Sequence, residues 1–324
     1  MTGEPLRIGS LCTGYGGLDI AVSSHYGARV EWLAEFDAAA SKVAAARHPG
    51  ITNHGDITQI DWASLPPVDI ITAGYPCQPF SHAGNRKGTT DERHIWPYIA
   101  NAVRIFRPRF LIMENVAGHL SLGFDAVLSD LAAMGRNARW GIVRASDAGA
   151  PHQRARLFIY SETTDADSLN GRPGQTQTGT ARRPGFANGN MGFDGRIALL
   201  PTPVVNDMGA GKTVDQWDAW TAAMQQKHGN GNGHGKSLAI EARRGEFKHY
   251  AAAVSRWETV IGRPAPPAAL NDRLNPVFVE WLMGLPAGWV TDPALGISLT
   301  QQLKMLGNGV VPPQAALALE MLAP

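Results

Sequence analysis

The chain predicts an α/β protein: a mostly parallel, doubly wound sheet with a smaller domain inserted into it. Three observations carry this. Short strand-like runs, Arg7–Leu11, Val30–Glu35, the β-branched Val68–Ala73 and Arg109–Met113, alternate with stretches of helical spacing. The first run enters a glycine turn, Gly14-x-Gly16-Gly17, that opens a helix. The pattern then lapses after Ser161 and resumes near Leu274. The expected organisation is therefore a first catalytic and cofactor-binding part over 1–163, an inserted domain over 164–270 and a closing segment over 271–324.

Composition narrows the class. The 324 residues are 44% hydrophobic and 18% charged, enough apolar material for a substantial core. The formal net charge of +1 excludes a global basic field, so any nucleic-acid contact must rest on local patches. The two cysteines, Cys12 and Cys77, exclude a disulfide framework and a zinc site. Residues 1–7 lack the apolar core of a signal peptide, and no run is long enough to span a membrane. A cytoplasmic monomer with no metal is expected.

Taken in order, strand 7–11, glycine turn and helix form the arrangement that holds a nucleotide-like cofactor, with backbone approach allowed by the glycines. A plain tight turn has the same sequence signature. The second strand ends at Glu35, where an acid meets ribose hydroxyls, or else caps the helix Ala38–Arg47; Asp37 fits the cap better. A short strand over Ile51–His54 leads to Gly55-Asp56-Ile57, where Asp56 bonds an adenine amino group or a turn amide. The buried strand Val68–Ala73 delivers Tyr75-Pro76-Cys77-Gln78-Pro79, a thiol at the carboxyl end of a strand on a proline-stiffened loop. The polar loop Ser81–His94 comes next, carrying Arg86, Lys87 and Arg93.

Helices are expected over Ile95–Phe106 and Phe124–Met134, with a strand ending at Glu114-Asn115-Val116 between them and another at Arg139–Val143. In Gln153-Arg154-Ala155-Arg156 the guanidiniums stand two apart at a strand start and so share one face; a solvated pair is the alternative. Beyond Thr163 the chain is rich in Gly, Thr, Asn and Asp. Lys236, Arg243, Arg244, Lys248, Arg256 and Arg263, with Trp217, Trp220 and Trp257 nearby, make a basic region, either a solvated surface or a nucleic-acid contact. Order resumes with a helix over Leu274–Gly284 and ends with an apolar helix after Leu306-Gly307-Asn308.

The ordered set Gly14-x-Gly16-Gly17, Glu35, Gly55-Asp56, Pro76-Cys77-Gln78, Glu114-Asn115-Val116, Gln153-Arg154-x-Arg156 and Gly307-Asn308 resembles the C5-cytosine DNA methyltransferase family over about 7–161 and 273–322. The resemblance implies a Rossmann-like methyltransferase fold, with the carboxyl-terminal segment beside the first strand. It implies S-adenosyl-L-methionine as cofactor, held by Gly14, Tyr15, Gly16, Glu35, Asp56, Ile57, Pro76 and Asn308. Cys77 is then the nucleophile, Glu114 meets the cytosine edge at N3 and the amine, and Arg154 and Arg156 orient the base and hold the thiolate. Double-stranded DNA is the implied partner, contacted by Gln78, Ser81, Arg86, Lys87, Lys236, Arg243 and Arg244; a restriction endonuclease reading the same site is a second. Two departures stand out: Cys12 replaces the family's usual aromatic, leaving adenine stacking to Phe36, and Ser10 replaces its usual acid. A tRNA methyltransferase of the same architecture and a catalytically inactive DNA-binding relative are the rival readings.

The residue types fit the chemistry. Carbon 5 of cytosine becomes nucleophilic when a thiolate adds at carbon 6, and positive charge near the thiol favours the thiolate. Addition pushes electrons to N3, where an acid must meet them; burial after an apolar strand raises a carboxyl toward that task. The base must leave the duplex first, at a cost of a few kcal/mol.

Overall fold

The computed structural model describes residues 4–76, 95–163, 197–229, 235–245 and 247–324. Cys77, Gln78, Ser81, Arg86 and Lys87 lie outside the described residues, as does 164–196. The described chain divides into two compact units: 4–143, 155–163 and 315–324 form the first, 144–154 and 197–314 the second.

In the first unit β1 (Arg7–Leu11), α1 (Gly17–Tyr26), β2 (Arg29–Ala34), α2 (Ala38–Arg47), β3 (Ile70–Gly74), α3 (Trp96–Phe106), β4 (Phe110–Val116), α4 (Phe124–Ala133), β5 (Arg136–Val143) and β6 (Arg156–Thr163) succeed one another. The strands form one six-stranded sheet in the order β2-β1-β3-β4-β6-β5. The first four are parallel, and β6 runs antiparallel to both β4 and β5. A parallel strand buried on both faces needs apolar residues at successive positions, hence Ile70-Ile71 and Phe110–Met113. On one face Ile71, Ala73, Leu111 and Met113 join Ile99 and Val103 of α3 and Val127 and Leu131 of α4 in one buried cluster. Alternate residues turn to the other face, where Thr72 donates to Asp19 of α1 and Phe110 stacks on Tyr26 at 4.9 Å. Each such apolar side chain stabilises the fold by about 1.5–3 kcal/mol on burial.

Local signals set the helix starts. Asp37 Oδ1 accepts from the amides of Ala39 and Ala40 at 2.9 and 3.2 Å, so Asp37 is the cap of α2 and Glu35 is left for other partners. The strand expected over Ile51–His54 reduces to a single bridge between Asn53 and Leu33, held by the backbone bonds of Leu33 to Thr52 and His54.

The second unit holds α5 (Val214–His228), α6 (Leu238–Arg244), α7 (Ala251–Ile261), the short hairpin β7 (Ala269–Leu270) and β8 (Arg273–Leu274), α8 (Pro276–Leu282) and α9 (Leu299–Asn308). Capping boxes start α5 (Thr213 with Gln216) and α9 (Ser298 with Gln301). Residues 271–314 belong to the second unit and 315–324 to the first. His152 bonds the Leu282 carbonyl at 3.0 Å and Arg154 the Gly307 and Gly309 carbonyls, which ties 271–314 to the second unit.

The last helix, α10 (Pro312–Leu322), contributes residues 315–322 to the first unit. Ala315, Ala318, Leu319 and Leu322 meet Ile112, Phe158 and Tyr160, and the Leu322 carbonyl accepts from Arg139 at 3.1 Å. This corrects the expectation of a closing segment beside β1. The apolar face of α10 covers β4 and β6 instead, where the large side chains of those strands would otherwise be bare.

Candidate active site

The parallel register lines up the carboxyl ends of four strands. Leu11 pairs with Ala34 on one side and Ala73 on the other, and Gly74 pairs with Glu114. The strand ends and the turns they enter therefore share one edge of the sheet: the turn 12–16 after β1, Glu35-Phe36 after β2, Tyr75-Pro76 after β3 and Glu114 itself in β4. Strands about 4.8 Å apart place the β2 and β4 ends roughly 14 Å from each other.

The turn after β1 is built on left-handed backbone. Cys12, Gly14 and Gly16 have φ of 51°, 58° and 80°. At Gly14 a Cβ would meet nothing within 4 Å, so this side of the turn is open. Its amide donates to Glu35 Oε2 at 2.6 Å, and the Asp37 amide donates to Oε1 at 2.7 Å. Burial pushes the Glu35 carboxyl above the usual range, and these amides pull it back. Asn53 fixes the Glu35 backbone: Oδ1 accepts from its amide at 2.9 Å and Nδ2 donates to its carbonyl at 3.1 Å. Asn53 Oδ1 also accepts from the Gly55 amide at 3.0 Å. Sequence reasoning missed Asn53, since Asn in a polar run reads only as a turn residue.

Asp56 Oδ1 accepts from the Thr58 amide at 2.9 Å, which is the turn bond of its two alternatives. Phe36 is 79% exposed, whereas Tyr15 is buried and Ile57 packs into the main cluster beside Trp62 and Leu65. Ile57 thus has its side chain committed to the core. Burial, with the Glu35 and Asp56 carboxylates, pushes the Cys12 thiol up to about 12. Cys12 therefore stays protonated at neutral pH, and the same effect puts both acids close to it.

Ser10, where the resemblance leads one to expect an acid, is bonded to one. Its hydroxyl donates to Asp19 Oδ2 at 2.8 Å, and Thr72 donates to Oδ1. Burial pushes the Asp19 carboxyl up while these hydroxyls pull it down. The carboxylate under the turn comes from α1 rather than β1, and only the fold reveals that the two positions meet.

Glu114, 6% exposed, stands 3.0 Å from Arg156 Nε, and Arg156 Nη1 donates to the Ala155 carbonyl at 2.9 Å. The antiparallel pairing of β4 with β6 brings Val116 opposite Arg156, which is what delivers the guanidinium to this acid. Arg154 behaves differently and corrects the expectation of a shared face. Its φ is 37° and it precedes β6, so the alternation of a strand does not apply to the pair. Its guanidinium, 2% exposed, donates to the carbonyls of Pro203 (3.2 Å), Gly307 (3.0 Å) and Gly309 (2.6 Å), all in the second unit. Gly307 is glycine because a Cβ would stand 2.6 Å from the Val205 amide nitrogen. Asn308 is exposed at the end of α9, and Pro76 is exposed after β3.

Two basic residues of the second unit, Arg243 and Arg244, have partners within it. Arg243 donates to the carbonyls of Asp272, Gly209, Lys212 and Ala210 at 2.6–2.8 Å, so its guanidinium serves its own backbone. Arg244 pairs with Asp218 and, at 3.6 Å, with Glu241. Lys236 is exposed and stands 3.4 Å from the Tyr250 hydroxyl. Among the described residues no helix is long and apolar enough to cross a membrane.

Residues 6–322 match the family model for C-5 cytosine-specific DNA methylase. The chain is 30% identical to the Type II methyltransferase M.DsaV of Dactylococcopsis salina over 96% of this chain and 84% of that one. Matches to M.BsuFI of Bacillus subtilis (32%) and M.HhaI of Haemophilus parahaemolyticus (32%) cover 48% and 51% of this chain, and only 39% and 51% of those proteins. In fold it is similar to crystal structures of a Spodoptera frugiperda DNMT2 mutant (TM-score 0.59, 16% identity, 98% and 99% of the two chains) and of S. pombe Dnmt2 (0.58, 17%, 98% and 99%). With the family model spanning nearly all of it, the chain belongs to the C-5 cytosine-specific DNA methylase family.

Proposed function

We propose that the protein transfers a methyl group from S-adenosyl-L-methionine to carbon 5 of a flipped cytosine in sequence-specific double-stranded DNA, through a covalent bond to Cys77. The observation that carries the reading is the Glu114–Arg156 pair. It stands at the end of β4, in register with Gly74, and Cys77 comes three residues after Gly74. Of the two thiols Cys12 is held protonated, which leaves Cys77 for nucleophilic work.

The cofactor residues fit the group. Gly14 turns an open, Cβ-free face outward, Glu35 offers a carboxylate beside it, and Phe36 offers an exposed ring. When bound, S-adenosylmethionine supplies a methyl on a sulfonium centre. Gly14, Gly16, Glu35, Asp56, Phe36 and Pro76 would hold it, with the Tyr15 and Ile57 backbones.

The Cys77 thiolate adds to carbon 6, and a proton or hydrogen bond from Glu114 meets the electrons arriving at N3. Arg156 orients that carboxyl. Carbon 5 then takes the methyl, the carbon 5 proton leaves to a base, and the carbon 6–sulfur bond breaks to return the thiolate. Arg154 shapes the second unit. The recognition domain is assigned to 164–270, with Lys236 on phosphate and a paired endonuclease reading the same site.

The test is duplex DNA with 5-fluorocytosine at the target. Fluorine does not leave as a cation, so the methylated adduct persists. Wild-type protein with S-adenosylmethionine should give a denaturant-stable complex mapping to Cys77. Cys77→Ala should give none and Cys12→Ala should still trap. A crosslink at Cys12, or one surviving Cys77→Ala, would overturn the assignment. Trapping on fluorinated tRNA alone would move the substrate to RNA.

A further inference from the structure

Tyr75 and His119 form a buried polar pair at the end of β3. Tyr75 Oη stands 2.7 Å from His119 Nε2, with the rings edge-on at 5.7 Å, and the residues are 4% and 1% exposed. The other ring nitrogen settles who donates. His119 Nδ1 is 2.9 Å from the Leu122 carbonyl, which can only accept, so Nδ1 carries a proton. In the neutral ring Nε2 then accepts from the Tyr75 hydroxyl. The His119 ring also meets Phe124 edge-on at 5.7 Å, which fixes its plane.

This bond joins two chain segments of unlike origin. Tyr75 lies one residue beyond β3 and two before Cys77. His119 lies in the 3-10 turn Ala117–Ser121 directly after β4. Asn115, next to Glu114, sets its side chain beside the same hydroxyl and accepts the Val116 amide at 2.8 Å. Ladder pairing of β3 with β4 ends at Gly74 and Glu114. Beyond that point the backbone ladder no longer holds the two segments, and the tyrosine hydroxyl does. A phenylalanine would fill the same apolar space without tying them together.

We propose that Tyr75 and His119 are positioning residues for methyl transfer, their hydrogen bond fixing the end of the β3 segment, two residues before Cys77 in sequence, to the turn that follows Glu114. The role rests on the methyl-transfer function proposed for this chain. Neither side chain is assigned a contact with the reacting atoms; they act through the two segments they join. A misplaced reacting group slows chemistry without weakening binding, so the effect belongs in the chemical step.

The experiment measures single-turnover methyl transfer with enzyme in excess over duplex, beside the affinities for S-adenosylmethionine and DNA. Tyr75→Phe removes one oxygen and should slow transfer about tenfold, the scale of one buried hydrogen bond, with both affinities within about twofold. His119→Leu should slow it similarly, and the double variant should be no slower than either single one. His119→Gln, whose carboxamide oxygen reaches the place of Nε2, should recover most of the rate. A purely structural pair would lower the melting temperature and leave the single-turnover rate constant unchanged. Wild-type rates in Tyr75→Phe and His119→Leu, or losses that multiply in the double variant, overturn the proposal. A wild-type protein that transfers no methyl to cytosine overturns the proposed function and this role with it.

Discussion

Both units spend arginine on main-chain carbonyls, Arg136 on Pro108 and Ser161 in the first, but they differ in what else arginine does. In the first, Arg156, opposite Val116 in the β4–β6 ladder, pairs with Glu114 at the sheet edge where the site is built. In the second, Arg154, Arg243, Arg256 and Arg263 all turn back onto main-chain carbonyls: Arg256 bonds Gly149 and Ala150 at 2.9 and 3.0 Å, and Arg263 bonds Leu285. The reason is the backbone. Buried carbonyls need donors, and a six-stranded sheet supplies them along its ladders from its own amides, with Arg136 adding donors at Pro108 and Ser161. The second unit has only one two-stranded ladder among the described residues, so guanidinium forks do that work. Positive charge in an irregular segment is therefore an ambiguous sign of nucleic acid.

The contrast predicts that one substitution removes chemistry and another removes folding. Glu114→Gln should leave the fold and cofactor binding nearly intact, because the amide keeps the shape of the side chain. The chemical step should fall by about 10²–10⁴, the range for a lost general acid. Single-turnover rates beside melting curves test this; turnover within a few-fold of wild type would remove Glu114 from its role. Arg154→Ala should do the reverse. It orphans the carbonyls of Pro203, Gly307 and Gly309 and should cost on the order of 3 kcal/mol. Arg154→Lys should not restore it, since a point charge does not replace the fork. Limited proteolysis and melting would show this as loss of the second unit. A folded Arg154→Ala protein that binds DNA but transfers no methyl would return Arg154 to the base.

Legibility in the sequence splits along the same divide. Ile70-Ile71 and Phe110–Met113 announce buried strands because parallel pairing demands apolar residues on both faces, and Asp37 announces its helix by its cap. The strand ends, and so Glu35 and Glu114, come with those runs. In the second unit Arg154 misleads because its left-handed φ is invisible in Arg-Ala-Arg. Contacts between distant positions, Ser10 with Asp19 and Tyr75 with His119, appear only when the helices and turns are folded onto the sheet.

A pair of substitutions within the second unit sharpens the lesson. Arg243→Ala should destabilise by about 1–3 kcal/mol, since it frees the carbonyls around the 209–212 turn, and should leave the salt dependence of DNA binding unchanged. Lys236→Ala should hardly move the melting temperature, yet should weaken binding to all sequences and reduce the salt slope by about 1. Swapped outcomes would mean that Arg243 is the phosphate contact and the carbonyl bonds are dispensable.

The smallest expected effect lies back in the first unit, at an acid that is neither fully structural nor catalytic. Glu35 accepts from the Gly14 and Asp37 amides, and burial holds its carboxyl above the ordinary glutamate range. The ribose hydroxyls assigned to it are donors, so only the ionised form serves them well. The carboxylate binds cofactor better than the acid does, hence affinity is full above the raised pKa and declines as pH falls through it. Because the shift is upward, the decline should begin at higher pH than an ordinary glutamate, near 4.3, would give. Titration calorimetry of S-adenosylmethionine from about pH 8 to pH 5 should show affinity falling several-fold at the acid end, the difference between a charged and a neutral hydrogen bond. Glu35→Gln should bind about tenfold more weakly at pH 8 and be flat across the same range. If the wild type were flat as well, with Glu35→Gln binding normally, Glu35 would serve only to hold the Gly14 turn, and cofactor recognition would rest on Asp56 and Phe36.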